Sequence, residues 1–358
     1  MKEKLHPFHT AILIFMIQSG VVIMSLPQLL AENFGYNGWI GLFIISLLVN
    51  VNIYLISLVY RMGKGKSIFQ ILESVLPRFI LVPLYLFLIG IWMLTGCMVV
   101  KNYVFIFQIV SYNTTHPMLL KFLIDILCFL LVIKGIYNMS KAATSFFWIT
   151  IWMVLLQFFF VKDFDWARLT PFIFKGDTHF IEGGLMVFTA FLGYELSMLL
   201  FPYAEPDKKF IKAVVAGNVL VTLVYVVFCF ICFGFYSLGQ LKNMMYPLLD
   251  LLSYIQLPFI ERIENLLYSF FLFTTVITVA LYTWSAQLTV SRMLPKMNIK
   301  LITFLIIAIG FIIAWIPDSL TEVGQWLQFL GMVELVVAFG LPILLIFILL
   351  AFKGARSS

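Results

Sequence analysis

A chain of 358 residues that is 63% hydrophobic and only 11% charged, with a mean hydropathy of +1.05, cannot bury its apolar surface in a water-soluble core. Lipid must be its solvent, which excludes a soluble enzyme. The net charge of +6 does not form a basic patch for nucleic acid, because the cations alternate between loops.

In chain order, ten apolar segments match a hydrocarbon core of ~30 Å: about 10–31, 38–60, 80–109, 118–134, 142–161, 183–202, 213–236, 264–291, 301–316 and 327–351. Their length and continuous apolarity predict helices, not barrel strands. Met1 to Pro7 is too short for a cleavable signal, so the first span is expected to stay. Loops on one side carry Lys2, Lys4, Arg61, Lys64, Lys66, Arg78, Lys134, Lys141, Lys208, Lys209, Lys212, Arg292, Lys296, Lys300, Lys353 and Arg356. The other side has only Lys162, Arg168, Lys175, Lys242 and Arg262. This bias predicts that both termini are cytoplasmic. Two long loops then face outward. Residues 162–182 hold Asp163, Asp165, Asp177 and a Thr170-Pro171 turn. Residues 237–263 hold the apolar stretch Met244 to Leu252, read as a short helix over an outer vestibule or as a loop resting on headgroups. The fold expected is one all-α transmembrane domain spanning 1–358, with ten helices in two inverted repeats (about 10–161 and 183–351).

The first and sixth segments interrupt themselves in matching places. Gln18-Ser19-Gly20-Val21-Val22-Ile23-Met24-Ser25-Leu26-Pro27 and Leu192-Gly193-Tyr194-Glu195 through Pro202 each carry a Gly near mid-depth and a Pro further on. Five spans separate their starts, so the two run in opposite directions. Broken helices in corresponding positions of inverted halves point to a midplane binding site. Amides beginning near Val21 would suit a carboxylate. Carbonyls ending a half-helix at Gly193 would suit an ammonium group or a cation. Together they describe an amino-acid site; the alternative is that both glycines serve close helix packing.

Glu195, a carboxylate inside a span, either binds a proton or an amine or clamps the unwound backbone. On helix eight Thr278 and Tyr282 are four apart and share a face, offering hydroxyls to a ligand or bonding back to the helix. Lys101 and Asp125 are expected to snorkel to the interfaces, and Glu334 to find an unassigned partner. Helix five has no lysine from Ala142 to Val161, which weakens an active-transport reading. Cys97, Cys128, Cys229 and Cys232 sit in apolar runs and read as packing residues, including the Cys229/Cys232 spacing. His6, His9, His116 and His179 lie in loops or near helix ends and form no metal cluster. No P-loop, triad or nucleotide fingerprint occurs, so no catalytic residue, cofactor or metal is assigned.

Several stretches, in order over nearly the whole chain, carry a family resemblance. They are Gly20 to Pro27, Gly38-Trp39-Ile40, Phe191 to Glu195 with Phe201-Pro202, Phe259 to Glu264, and Trp315-Ile316-Pro317-Asp318. The chain resembles the B subunit of spore germinant receptors, the spore germination permease family. The resemblance implies a fold of the amino acid/polyamine/organocation transporter superfamily, arranged as in bacterial leucine transporters. It implies a nutrient sensor in the spore inner membrane, working with an A subunit and a lipoprotein C subunit. The family's pocket positions fall on Gly20, Leu192, Gly193, Thr278 and Tyr282, with helix three contributing through Ile91. Trp92-Met93-Leu94-Thr95-Gly96 departs from the family pattern. A proton-coupled amino-acid transporter and a scaffold with a vestigial pocket are the competing readings.

Overall fold

In the computed structural model the described residues are 4–111, 114–170, 174, 179–204, 209–255 and 263–357, with side chains to 351. Lys2, Lys175, Lys208 and Arg262 of the loop cations, Pro171 and Asp177 of the first long loop, and Phe259 to Arg262 of the helix-eight motif lie outside them.

Every regular element among the described residues is helical. The first segment is α1 (Pro7–Gln18), a 3-10 turn (Val21–Met24) and α2 (Leu26–Phe34). Then come α3 (Gly41–Met62), the short α4 (Ile68–Glu73), α5 (Arg78–Val110), α6 (Pro117–Val132) and α7 (Gly135–Thr150), which tightens into 3-10 geometry over Ile151–Asp163. The sixth segment is α8 (Phe180–Thr189) followed by a 3-10 arm (Tyr194–Tyr203). The remainder is α9 (Lys209–Phe235), the short α10 (Leu238–Asn243) and α11 (Pro247–Ser253), α12 (Ile263–Met293), α13 (Ile299–Ile313) and α14 (Leu320–Ser357).

Seven of the described helical stretches are long and apolar enough to cross a membrane. The other three predicted spans fall on the interrupted first segment, on α6 with 16 residues and on α13 with 15, each shorter than a full crossing. Local chemistry sets the ends. His6 and His116 precede a proline at the helix start, and their Nδ1 atoms accept the amides of Phe8 (3.3 Å) and Met118 (3.2 Å). Ser67 with Gln70 and Ser237 with Gln240 form capping boxes that begin α4 and α10. Pro27 likewise lies in the first turn of α2, so it opens the second half-helix after the backbone has already turned at Gly20.

The bundle sorts by burial. In the most apolar stretch of the sixth segment 72% of residues are buried, and in that of α12 67%, against 22% for the α7 segment. The broken helix and α12 are therefore central, and α7 is peripheral. Exposed Leu47, Phe79, Phe158 and Ile181 on the outer faces are what lipid-facing positions require. At one end α11 buries Leu248, Leu249, Leu251 and Leu252 while packing on α9, α12 and the 3-10 turn after Gly20. It is a plug of the bundle, not a loop on headgroups.

Candidate functional site

The two breaks meet each other. Ile17 lies in the last turn of α1, and a Cβ placed on Gly193 would collide with Ile17 Cγ2. Gly193 also holds φ +113°, which side-chain-bearing residues rarely adopt. Gly20 differs: its backbone is extended (φ −94°, ψ −170°), and a Cβ there would meet nothing within 4 Å. Close packing explains the glycine at 193 and not the one at 20.

Two interrupted helices have four loose ends, each with polar groups that cannot stay unpaired at this depth. Side chains take three. At the carbonyl end of α1, Thr278 Oγ1 donates among Ile17 O (3.1 Å), Met16 O (3.3 Å) and its own helix at Thr274 O (3.0 Å). At the carbonyl end of α8, Gln18 Nε2 donates to Phe191 O at 2.6 Å. The Tyr225 hydroxyl lies 2.6 Å from Gln18 O and 3.1 Å from Ala190 O, sharing its proton between both breaks. At the amide end of the sixth-segment arm, the Gly193 N–H donates to Glu195 Oε2 (2.8 Å) and Oε1 (3.0 Å). The Gly20 N–H donates to Gln18 O at 2.9 Å, and the fourth end, the amides following Gly20, has no side-chain cap among the described residues.

This distribution corrects one sequence expectation. The carbonyls near Gly193 are expected to suit an ammonium group or a cation, but protein donors already hold Ala190 O and Phe191 O. The Gln18 amide of α1 and the Tyr225 hydroxyl of α9 reach them, and α9 packs directly on α1. Asn218, Thr222 and Tyr225 form a polar stripe at helical spacing on α9. Asn218 accepts from Gln18 Nε2 at 3.2 Å and donates to Ser46 at 3.3 Å, and Thr222 meets Ser46 at 2.7 Å. That stripe, three polar residues on one face of an apolar helix, was the signal available in the sequence. Tyr225→Phe removes a donor from two buried carbonyls and is expected to cost about 1–3 kcal/mol. A lower thermal midpoint in nanodiscs checks this; an unchanged midpoint would mean that the bond contributes nothing.

Glu195 does not stand alone. Its carboxyl and that of Glu334 on α14 lie within hydrogen-bonding reach. Thr95 Oγ1 on α5 donates to Glu334 Oε2 at 3.3 Å, and Trp92 and Tyr282 lie near Glu334. Trp92 and Thr95 come from the very stretch that departs from the family pattern, and their three-residue spacing puts both on one face of α5.

The other sequence-predicted positions are all buried. Val21, Ile91, Leu192 and Tyr282 belong to one continuous apolar core, and Thr278 bonds across to α1. A mainly apolar cleft with about 430 Å³ of atom-free space, partly open to the outside, lies beside the first break. Phe15, Ser19, Ile23, Val224, Phe228 and Thr274 line it, with residues of the α7 segment; none of the predicted site residues does. A second, smaller recess lies between α4, the end of the 3-10 arm and α12, with Ser67, Tyr203 and Arg292 on its walls.

Lys101 and Asp125 do not snorkel. Lys101 is buried and donates to Ala314 O at 2.8 Å, where α13 ends. Asp125 is buried in a 2.6 Å ion pair with Lys121, one turn earlier on α6. Both lie between helices, where pairing replaces access to the interface. The four cysteines are buried and free.

Comparison with known proteins gives a concordant family and fold. The model of the family described as spore germination protein matches residues 4–323. The chain is 24% identical over 349 residues to spore germination protein GerQB of Bacillus cereus, covering 96% of this chain and 95% of that one. It is 25% identical over 360 residues to spore germination protein B2 of Bacillus subtilis, covering 94% and 93%. Among solved structures it resembles a nucleobase-cation-symport-1 family transporter in a closed conformation with bromovinylhydantoin bound (TM-score 0.62, 13% identity, 96% of this chain and 78% of that one). It also resembles the Eremococcus coleocola manganese transporter (TM-score 0.64, 14% identity, 95% and 78%). At such identities these two show the fold alone, the leucine-transporter-like arrangement with its first and sixth helices broken. The chain is an integral membrane protein of permease type, not an enzyme, and it belongs to the spore germination permease family.

Proposed function

We propose that this protein is the nutrient-sensing subunit of a spore germinant receptor. In this reading it is a single domain of two inverted repeats in the spore inner membrane, with both termini cytoplasmic. A small nutrient, an amino acid, enters between helices one, three, six and eight and bridges the two breaks. The site comprises Gly20, Val21, Ile91, Leu192, Gly193, Thr278 and Tyr282. What supports it above all is the uncapped amide end after Gly20, beside a position where a Cβ would meet open space. Three of the four loose ends are tied by side chains; the fourth is left for a carboxylate. Ligand then favours one arrangement of the helix-one and helix-six bundle by its differential affinity. The change passes to an A subunit and a lipoprotein C subunit.

The buried Glu195–Glu334 pair favours a second reading, a proton-coupled amino-acid transporter. Uptake of labelled amino acids into proteoliposomes separates the two. Saturable binding without accumulation under an imposed pH gradient is expected for the sensor; accumulation driven by that gradient would replace it with the transporter.

A further inference from the structure

Protein side chains already donate to the Met16, Ile17, Gln18, Ala190 and Phe191 carbonyls at the breaks, so a separate acceptor would suit the positive end of an amine ligand. Glu195, from the arm after the sixth-segment break, and Glu334, from the interior of α14, supply one. They are 2% and 0% exposed, and their carboxyls are in hydrogen-bonding reach of each other. Thr95 holds one oxygen of Glu334 and the Gly193 amide holds both of Glu195, while Glu334 Oε1 is buried with no hydrogen-bond partner among the described residues. The nearby indole N–H of Trp92 is buried and likewise has no hydrogen-bond partner among the described residues. Among the described residues, no Lys, Arg or His nitrogen lies within 4 Å of either carboxyl.

Among the described residues, the titratable groups facing the pair are Tyr282 from α12 and Tyr194, next to Glu195. From α5 it is faced by Trp92 and Thr95, which do not titrate. Between His9 and Gln18 α1 carries no ionisable residue, α3 carries none before Tyr54, and Lys209 and Lys212 sit in the first turn of α9. Two neighbouring carboxyls in a dry interior repel each other when both are charged, which favours a proton or another cation shared between them.

We propose that the Glu195–Glu334 pair is a cation subsite, which holds one proton when empty and releases it for the ammonium group of an amine-bearing ligand. This rests on the nutrient-binding reading above and adds the chemistry of its cationic end. The exchange balances: one carboxyl O–H bond breaks, the proton leaves to water, one alkylammonium enters, and the charge of the occupied pair stays the same. Pre-existing donors at Gly193 and Thr95 keep the carboxylates of Glu195 and Glu334 oriented while the cation changes.

The test uses the full-length chain in lipid nanodiscs, with n-butylammonium and L-alanine as probes. Infrared difference spectra should show a carboxylic-acid C=O band at neutral pH that shifts in D2O and is lost in both Glu195→Gln and Glu334→Gln. Adding a probe should remove the band and release about one proton per bound amine, read by an indicator dye in weak buffer. Absence of the band in the unaltered chain would overturn the proposal, whatever the variants' stability. So would a band that survives saturating amine, or one removed by manganese(II) and by neither amine. Amino-acid binding that persists without proton release would defeat this exchange and leave the midplane site standing. Loss of all amino-acid binding in the unaltered chain would defeat the site itself.

Discussion

Gly193→Ala is expected to destabilise the protein by about 2–6 kcal/mol, from two separable causes. The first is backbone strain: at φ +113° an L-residue must hold a conformation that costs about 1–3 kcal/mol. The second is steric, because the added methyl enters the space of Ile17 Cγ2, with α1 packed behind it. The two respond differently to a second change. In an Ile17→Ala background the loss caused by Gly193→Ala should shrink, and what remains measures the strain. Thermal midpoints of the four proteins in nanodiscs give the cycle. Should Gly193→Ala match the unaltered chain, the sixth segment does not turn at this residue. Because the variant disturbs folding, it reports on the break and not on ligand binding; Gly20 is the cleaner probe of binding.

The second large effect lies away from the breaks. Lys121 and Asp125 are paired at 2.6 Å with side chains 2% and 8% exposed. Lys121→Met leaves a carboxylate buried without its counter-charge and is expected to cost about 3–5 kcal/mol. Lys121→Met combined with Asp125→Leu should recover most of that loss, since a well-packed apolar pair avoids desolvating either charge. If the double variant loses as much as the single one, the pair serves some purpose beyond neutralising itself, and neighbouring Lys101 becomes the place to look. Lys101 is held by Ala314 O and by Met118 Sδ at 3.4 Å, and it lies 4.7 Å from the ring centroid of Phe105.

The interruptions were legible because few residues break an apolar run, and Gly20 and Gly193 are each followed by a proline further along the same segment. Thr278 and Tyr282 were legible as a face, and Glu195 as a costly residue that needed a purpose. Their partners were not. Thr278 bonds to carbonyls of α1, Tyr282 lies near Glu334, and Glu195 caps its own arm while meeting α14. Each pairing joins segments far apart in sequence, and periodicity within one helix carries no information on which helix faces it. The misplacement of Lys101 and Asp125 has the same origin. In a helix apolar all round, lipid-facing and bundle-facing sides look alike, so a charge near an end reads as snorkelling when it is in fact paired inside. α11 was ambiguous for a related reason: a short apolar helix suits headgroups and a bundle end equally well, and only its contacts decide.

The central claim is that the uncapped amides after Gly20 receive the carboxylate of a small nutrient. Its most direct test is equilibrium binding of a labelled amino-acid panel to the full-length chain and to Gly20→Phe, both in nanodiscs, with thermal midpoints measured alongside. The Gly20 Cβ position faces open space, so the account expects a near-normal midpoint and at least a tenfold loss of affinity, roughly 1.4 kcal/mol or more. Unchanged affinity in a well-folded Gly20→Phe protein would contradict it.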